Sequence, residues 1–406
     1  MLSPDTARKR ILGAVARLAP LPAERVPLEK ALGRTLATDL TAEADLPPFA
    51  ASTMDGYAFR SGDAQPGARL PVAFEVFAGH GAARELPPGA CCRITTGAPL
   101  PPGADAVEKQ EEVRRQGRTV ILHRAVAPGQ FVRARGSDLP AGAVALAAGA
   151  AVDPAVVGLA AALGHRELAV HRRPRVVILP TGDELVPPGR RLRPGQIRES
   201  NGVALVAAVQ EAGGEARKLP AARDRAGSLE RALRGARDLD VLLTVGGVSV
   251  GARDLVRGAL RRAGARLQFW RVAIRPGKPF TFGLWGDKVV FGLPGNPASA
   301  LVTFELFVRP ALRALSGRVG DGRVATWVRL ARAQEKPAEL TVYLRVRLTA
   351  PPGTPGLGWA EPLRTQQSGD LTSLAGADAL AILPAGPTRL RRGAAVRAIV
   401  LRPPLV

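Results

Sequence analysis

Acidic and basic side chains recur at the turns that follow a series of predicted strands, and that recurrence is the chemistry this chain offers. Thr181-Gly182-Asp183-Glu184 follows a predicted strand at 175–179, Arg223-Asp224 one at 216–219, and Gly246-Gly247 with Asp254 one at 240–244. Arg271, Arg275-Pro276-Gly277-Lys278 and Gly292-Leu293-Pro294-Gly295-Asn296-Pro297 continue the series. In open α/β sheets ligands bind beyond the carboxyl ends of the strands. Carboxylates and cations alternating around that rim suit an anion held together with a divalent cation. Each charge taken singly reads as a solvated loop residue, and it is their falling jointly on one predicted edge that points to a site.

The stretch 240–254, DVLLTVGGVSVGARD, is the centre of the pattern. An apolar run, two glycines and the helical pattern Leu255, Val256, Ala259, Leu260 form a strand, a turn and a helix start. Free amides and the helix dipole make such a turn an anion seat, although the dipole contributes only about 0.3–1 kcal/mol. The same residues would also make an ordinary tight turn. No GxxxxGK[ST] is present, so an ordinary P-loop is excluded. Asn296 before Pro297 reads as a helix N-cap, which would bring a second helix N-terminus to the same edge.

The elements that must position these residues fall into four regions. Residues 1–45 and 150–173 read as a helical and linker domain, with helices at about 5–18, 28–36 and 154–163, and residues 1–20 free to pack on the α/β domain. Residues 46–149 carry short β-type runs between many glycines and prolines, an inserted mainly β domain. Within it Asp55, beside Gly56 and Tyr57, suits a turn that presents a carboxylate; Thr95 to Val107 and the Arg133, Arg135, Asp138 turn are further charged or Gly/Pro-rich loops. Residues 174–322 alternate strand and helix, which predicts a doubly wound, mostly parallel sheet ending in a helix at 297–315. Residues 323–406 return to strands, a small C-terminal β-barrel or sandwich.

The chain's 406 residues carry a net charge of +22, nearly all from arginine. An acidic partner drawn by that field is one explanation, and a chain-wide bias toward Ala, Gly, Pro and Arg is the other. Dispersed arginines and only 4% aromatics argue against nucleic acid. The only cysteines, adjacent Cys91 and Cys92, can hardly bridge locally, and no apolar run is long enough to cross a bilayer. A cytoplasmic location without a membrane partner is expected.

Seven segments in order carry a resemblance: Met54-Asp55-Gly56-Tyr57-Ala58, Thr96-Gly97-Ala98-Pro99, Gly136-Ser137-Asp138, Thr181-Gly182-Asp183-Glu184-Leu185, Gly246-Gly247-Val248-Ser249-Val250-Gly251 with Asp254, Pro276-Gly277-Lys278-Pro279, and Gly292-Leu293-Pro294-Gly295-Asn296-Pro297. Together they closely resemble the molybdopterin molybdenumtransferase family, the MoeA proteins of bacteria and the C-terminal domain of the scaffold gephyrin. The resemblance implies a MogA-like α/β domain in a multidomain chain, and insertion of molybdate into adenylylated molybdopterin with release of AMP, assisted by Mg²⁺. It implies a homodimer with a shared active site. Glu184, Asp224 and Asp254 would come from one subunit as catalytic and Mg²⁺-holding acids, while Asp55, Asp138 and Thr96 approach from the other. Thr181, Gly246, Gly247, Ser249, Arg271, Arg275, Lys278, Pro294, Asn296, Pro297 and Ser368 would bind substrate. The molybdopterin-adenylylating enzyme and the molybdoenzyme recipients are the implied partners.

This chain departs from the family pattern at Arg271 and Arg275, where lysine is common, and a flat guanidinium fork replaces a compact ammonium. Ala50, Gln367-Ser368-Gly369 and Asp378 also differ. Two other functions compete: the preceding adenylyl transfer, which needs only the α/β domain, and a non-catalytic gephyrin-like scaffold.

Overall fold

A computed structural model describes residues 1–406 except 19, 82, 83, 237, 248–254, 319, 321, 350–357 and 403–406. The chain divides into two compact units, Met1–Glu24, Gly33–Thr35 and Val170–Val406 in one, Arg25–Leu32 and Leu36–Ala169 in the other.

The larger unit is built on a six-stranded sheet in the order Glu215–Lys218, Arg175–Pro180, Val241–Val245, Lys288–Leu293, Pro279–Trp285, Arg266–Arg271. The first four strands are parallel and the last two pairings antiparallel, so the sheet is mostly parallel, as expected. Every residue of Val241–Val245 is buried, because helices cover both faces. On one face Ile178, Leu243 and Phe291 pack against Ile11, Leu205 and Phe307; on the other Val177, Leu242 and Val290 meet Leu229, Leu233 and Val256. Phe280 stacks at 4.7 Å from Phe307 and 6.0 Å from Phe291, anchoring the last helix to the sheet.

That last helix departs from the sequence expectation. It runs as Pro297–Thr303, a π-helical turn at Phe304–Val308, and Arg309–Leu315. Pro310 has no amide to give the carbonyl four residues back, and its ring crowds that carbonyl, so the helix widens just before it. The widened turn presents Glu305 to Arg309 Nε (2.7 Å) and Arg323 Nε (3.0 Å). Arg323 also donates to Glu211 (3.0 Å) and to the Leu401 carbonyl (2.8 Å), tying the helices to the last strand of the C-terminal module.

The C-terminal module is a closed five-stranded barrel. Thr341–Thr349 pairs with Trp359–Pro362, then follow Ala325–Leu330, Ala395–Val400 and Ala379–Leu383, which returns to Thr341–Thr349. So small a barrel admits few large side chains, and Ala360, Ala379, Ala381 and Ala398 fill it beside Leu330, Val346 and Val396. Ile274–Arg275 from the α/β module adds itself in parallel to the Thr341 end.

The second unit holds a curled six-stranded sheet in the order Ala106–Lys109, Gly56–Phe59, Cys91–Ile94, Arg69–Val76, Thr119–Leu122, Val113–Gln116. A Cβ on Gly56 would lie 1.9 Å from the Glu108 carbonyl oxygen, so only glycine lets these strands approach. Cys91 and Cys92 point to opposite faces, into separate cores, and both are free. The expected helix at 28–36 is only Leu28–Ala31, and Leu32, just past its end, is exposed.

Burial raises the Glu305 pKa, but the hydrogen bonds from Arg309 and Arg323 outweigh it and hold the carboxyl below its ordinary range. Its contribution is therefore complete above the unfolded value of about 4.3 and is lost as pH falls through the folded value. Glu305→Gln should cost about 3 kcal/mol in urea denaturation at pH 7, and the difference between the two proteins should shrink as the pH is lowered through the folded-state value.

Candidate functional site

The site begins where Val241–Val245 ends. Gly246 takes φ +92° and Gly247 φ +63°, and a Cβ on Gly246 would stand 2.6 Å from the Thr181 carbonyl oxygen. On Gly247 it would meet Val256 Cγ2 at 2.5 Å. The Gly246 amide donates to the Leu293 carbonyl (3.1 Å), and the buried Thr181 donates through its amide to the Val245 carbonyl (2.9 Å). Three strand ends are thus drawn together at one rim. Around them lies a cleft of about 550 Å³. Glu184 and Asp224 line it, as do Thr181, Gly246, Gly247, Pro294, Asn296 and Pro297. Residues 248–254, and with them the expected Ser249 and Asp254, lie outside the described residues.

A second cleft of about 600 Å³ adjoins the first and shares Pro279, Pro294, Asn296 and Gly369 with it. Arg275, Lys278 and Ser368 are on its walls. Asn296 does not cap its helix through the side chain: Nδ2 donates to Ser368 Oγ (2.8 Å) instead. The Ala298 and Ser299 amides are taken by the Ser368 carbonyl, at 3.1 and 3.4 Å. The expected second open helix N-terminus is therefore closed, and what it gains is a tie between α/β module and barrel. Arg271, by contrast, lines neither cleft; it ends the edge strand Arg266–Arg271.

The remaining expected residues belong to the second unit. Asp55 Oδ1 accepts from the Thr96 amide (2.6 Å) and Thr96 Oγ1 (2.9 Å), and these bonds hold its carboxyl below the ordinary range. Asp138 is paired with Arg133, which likewise lowers it. Asp55 and Thr96 are thus joined directly, and Asp138 is fixed by its own arginine.

Sequence reasoning passed over four residues. Arg345 is fully buried, and none of its guanidinium nitrogens has a hydrogen-bond partner among the described residues. Desolvation lowers its pKa, Asp370 opposes that, and Arg275 adds to it. Gln366, on the wall of the second cleft, accepts from the Arg345 amide (3.0 Å). Glu199 and Asn201 line the first cleft from a loop rich in Gly, Pro and Arg. No group of three His, Cys, Asp or Glu able to hold a metal occurs among the described residues. Glu184 and Asp224 nevertheless offer hard oxygen donors on one cleft, and Mg²⁺ is commonly held by one or two carboxylates plus substrate phosphates.

Family models match three stretches: the MoeA N-terminal region (domain I and II) at 2–164, a probable molybdopterin binding domain at 177–314, and the MoeA C-terminal region (domain IV) at 328–401. A molybdopterin molybdenumtransferase of Synechococcus elongatus is 38% identical, over 98% of this chain and 98% of its own. Molybdopterin molybdenumtransferase 2 of Mycobacterium tuberculosis is 42% identical, over 72% of this chain and 75% of its own. A crystal structure of the molybdopterin biosynthesis MoeA protein from Pyrococcus horikoshii superposes with a TM-score of 0.84 at 33% identity, covering 99% of this chain and 100% of that one.

The close approach at the rim is open to a simple comparison. Gly213 has nearly the same φ as Gly246, +89° against +92°, but a Cβ there meets nothing within 4 Å. Gly213→Ala should cost about 1 kcal/mol of backbone strain, whereas Gly246→Ala should cost about 3 kcal/mol in urea denaturation.

Proposed function

The chain belongs to the MoeA family, the molybdopterin molybdenumtransferases, and from that premise we propose how its two adjoining clefts divide the reaction. It is a transferase of molybdenum cofactor biosynthesis. The first cleft, walled by Glu184 and Asp224, takes the phosphoanhydride of adenylylated molybdopterin. The second, walled by Arg275, Lys278 and Ser368, takes molybdate. The observation that carries this reading is the distribution of charge: Glu184, Glu199 and Asp224 with Arg198 line the first cleft, whereas the second has the cations Arg275 and Lys278 and no acid on its described walls, with Pro294 and Asn296 common to both.

The charges match the two halves of the substrate pair. Molybdate is a compact dianion, and each charge-assisted hydrogen bond to it contributes roughly 1.5–3 kcal/mol. Arg275 offers a planar fork and Lys278 a mobile point charge. Arg345 is fully buried and lines neither cleft, so its part is to add positive charge behind the wall that Gln366 and Arg275 form. At the phosphoanhydride, Glu184 and Asp224 orient the water that adds to phosphorus as AMP leaves. Mg²⁺ would be held by Glu184 and Asp224, with Asp254, and when bound it neutralises phosphate charge.

Asp55, Thr96 and Asp138 then come from a second copy of the chain, in a homodimer whose two sites are each built from both subunits. Symmetric dimers present the same pair of surfaces twice, so both sites would be completed alike.

Two measurements test this. Purified protein given adenylylated molybdopterin, molybdate and Mg²⁺ should release AMP, and Glu184→Ala or Asp254→Ala should lower the rate by about a hundredfold or more. Absence of AMP from the intact protein would sink the reading. Mixing inactive Asp55→Ala with inactive Glu184→Ala should restore about a quarter of the parental rate through mixed dimers; no recovery would show that each chain builds its own site.

A further inference from the structure

Glu199 stands in the wall of the first cleft, yet it is only 4% exposed and turns its carboxylate inward. Oε1 accepts from the Gly202 amide (2.5 Å) and Oε2 from Lys218 Nζ (2.8 Å). Both oxygens are thus engaged by internal donors, which is unlike a group placed to exchange protons with a ligand. Gly202 is in the first turn of helix Asn201–Glu211, where amides lack intrahelical partners, and Ser200 makes no side-chain cap there. Glu199 takes over the capping.

The neighbouring Asn201 reaches the other way. Its Nδ2 donates to the Gly295 carbonyl (2.7 Å), in the turn that carries Pro294, Asn296 and Pro297. A continuous line therefore runs from Lys218 on its strand, through Glu199 and the helix start, to Asn201 and across to the Gly295 turn. We propose that Glu199 and Lys218 are a positioning pair, which fixes the separation between the Arg198–Asn201 wall and the Gly295 turn and so the width of the first cleft. This rests on the reading above for what the cleft holds, but the mechanical claim does not. The pair fits the task because Glu199 is buried and Lys218 reaches it from the more exposed strand, so loss of the ammonium leaves a buried carboxylate short of its partner and loosens the placement of the wall. Gly202 adds a constraint: a Cβ there would lie 2.7 Å from Lys218 Cδ and 2.9 Å from Glu199 Oε2.

The test is amide hydrogen exchange on the intact protein, with AMP-release kinetics beside it. In Lys218→Met, exchange should rise about tenfold or more at 197–202 and also at 293–297, which Lys218 does not touch. Lys218→Arg should restore both segments to within about threefold of the parent. KM for adenylylated molybdopterin should rise about tenfold in Lys218→Met with kcat changed less than about threefold, since a merely less stable fold would not split them. Should Lys218→Met fail to fold, Gly202→Ala wedges the same pair and should give the same paired change in exchange. Unchanged exchange at 293–297 in a folded variant overturns the proposal, whatever happens at 197–202. If the parent releases no AMP, the functional reading fails and exchange alone decides the pair.

Discussion

The larger unit depends on a main-chain approach that no side chain could survive. Gly246 lies so close to the Thr181 carbonyl that a single methyl would push apart the ends of the Arg175–Pro180 and Val241–Val245 strands. Those strands are buried on both faces and cannot shift sideways without opening two cores. The cleft is therefore shaped by packing far below it. Glu184, Asp224 and the Gly295 turn inherit their positions from a sheet that has little freedom to deform.

Much of this was legible in the chain. Apolar runs followed by Gly, Asp or Arg gave the α/β order and the rim on which Glu184, Asp224, Gly246 and Asn296 meet, because strand burial and turn chemistry are local properties. What escaped was tertiary. Arg345 sits between Leu344 and Val346 in a strand that alternates, and such a residue reads as facing water; here the outer face of the barrel strand is itself covered. Glu199 carries no local mark of burial, because its partner Lys218 belongs to another element. Asn296 has the composition of a cap, but a better acceptor, the Ser368 carbonyl, arrives from a separate module. The π turn could be traced only to Pro310 in retrospect, since proline in a helix more often kinks or ends it.

The large positive charge is less uniform in its consequences than its size suggests. Several buried or partly buried acids are held by arginines at structural joints: Glu108 by Arg124, Asp240 by Arg172, Glu305 by Arg309 and Arg323. Arginine serves these joints well because its fork can bind two oxygens at once, as Arg172 does with Asp240 at 2.6 and 2.7 Å. An arginine-rich composition thus supplies ties between elements as well as a long-range field.

The two cysteines bear on the kind of substrate proposed above. Cys91 and Cys92 are both fully buried on opposite faces of one strand, and burial pushes each thiol up to about 12. At neutral pH neither presents a thiolate, and neither can reach the other or the solvent. Molybdate, the oxyanion proposed for the second cleft, would accordingly meet no thiolate on this protein, so stray metal–thiolate bonds are closed off by geometry before any selectivity in the cleft comes into play.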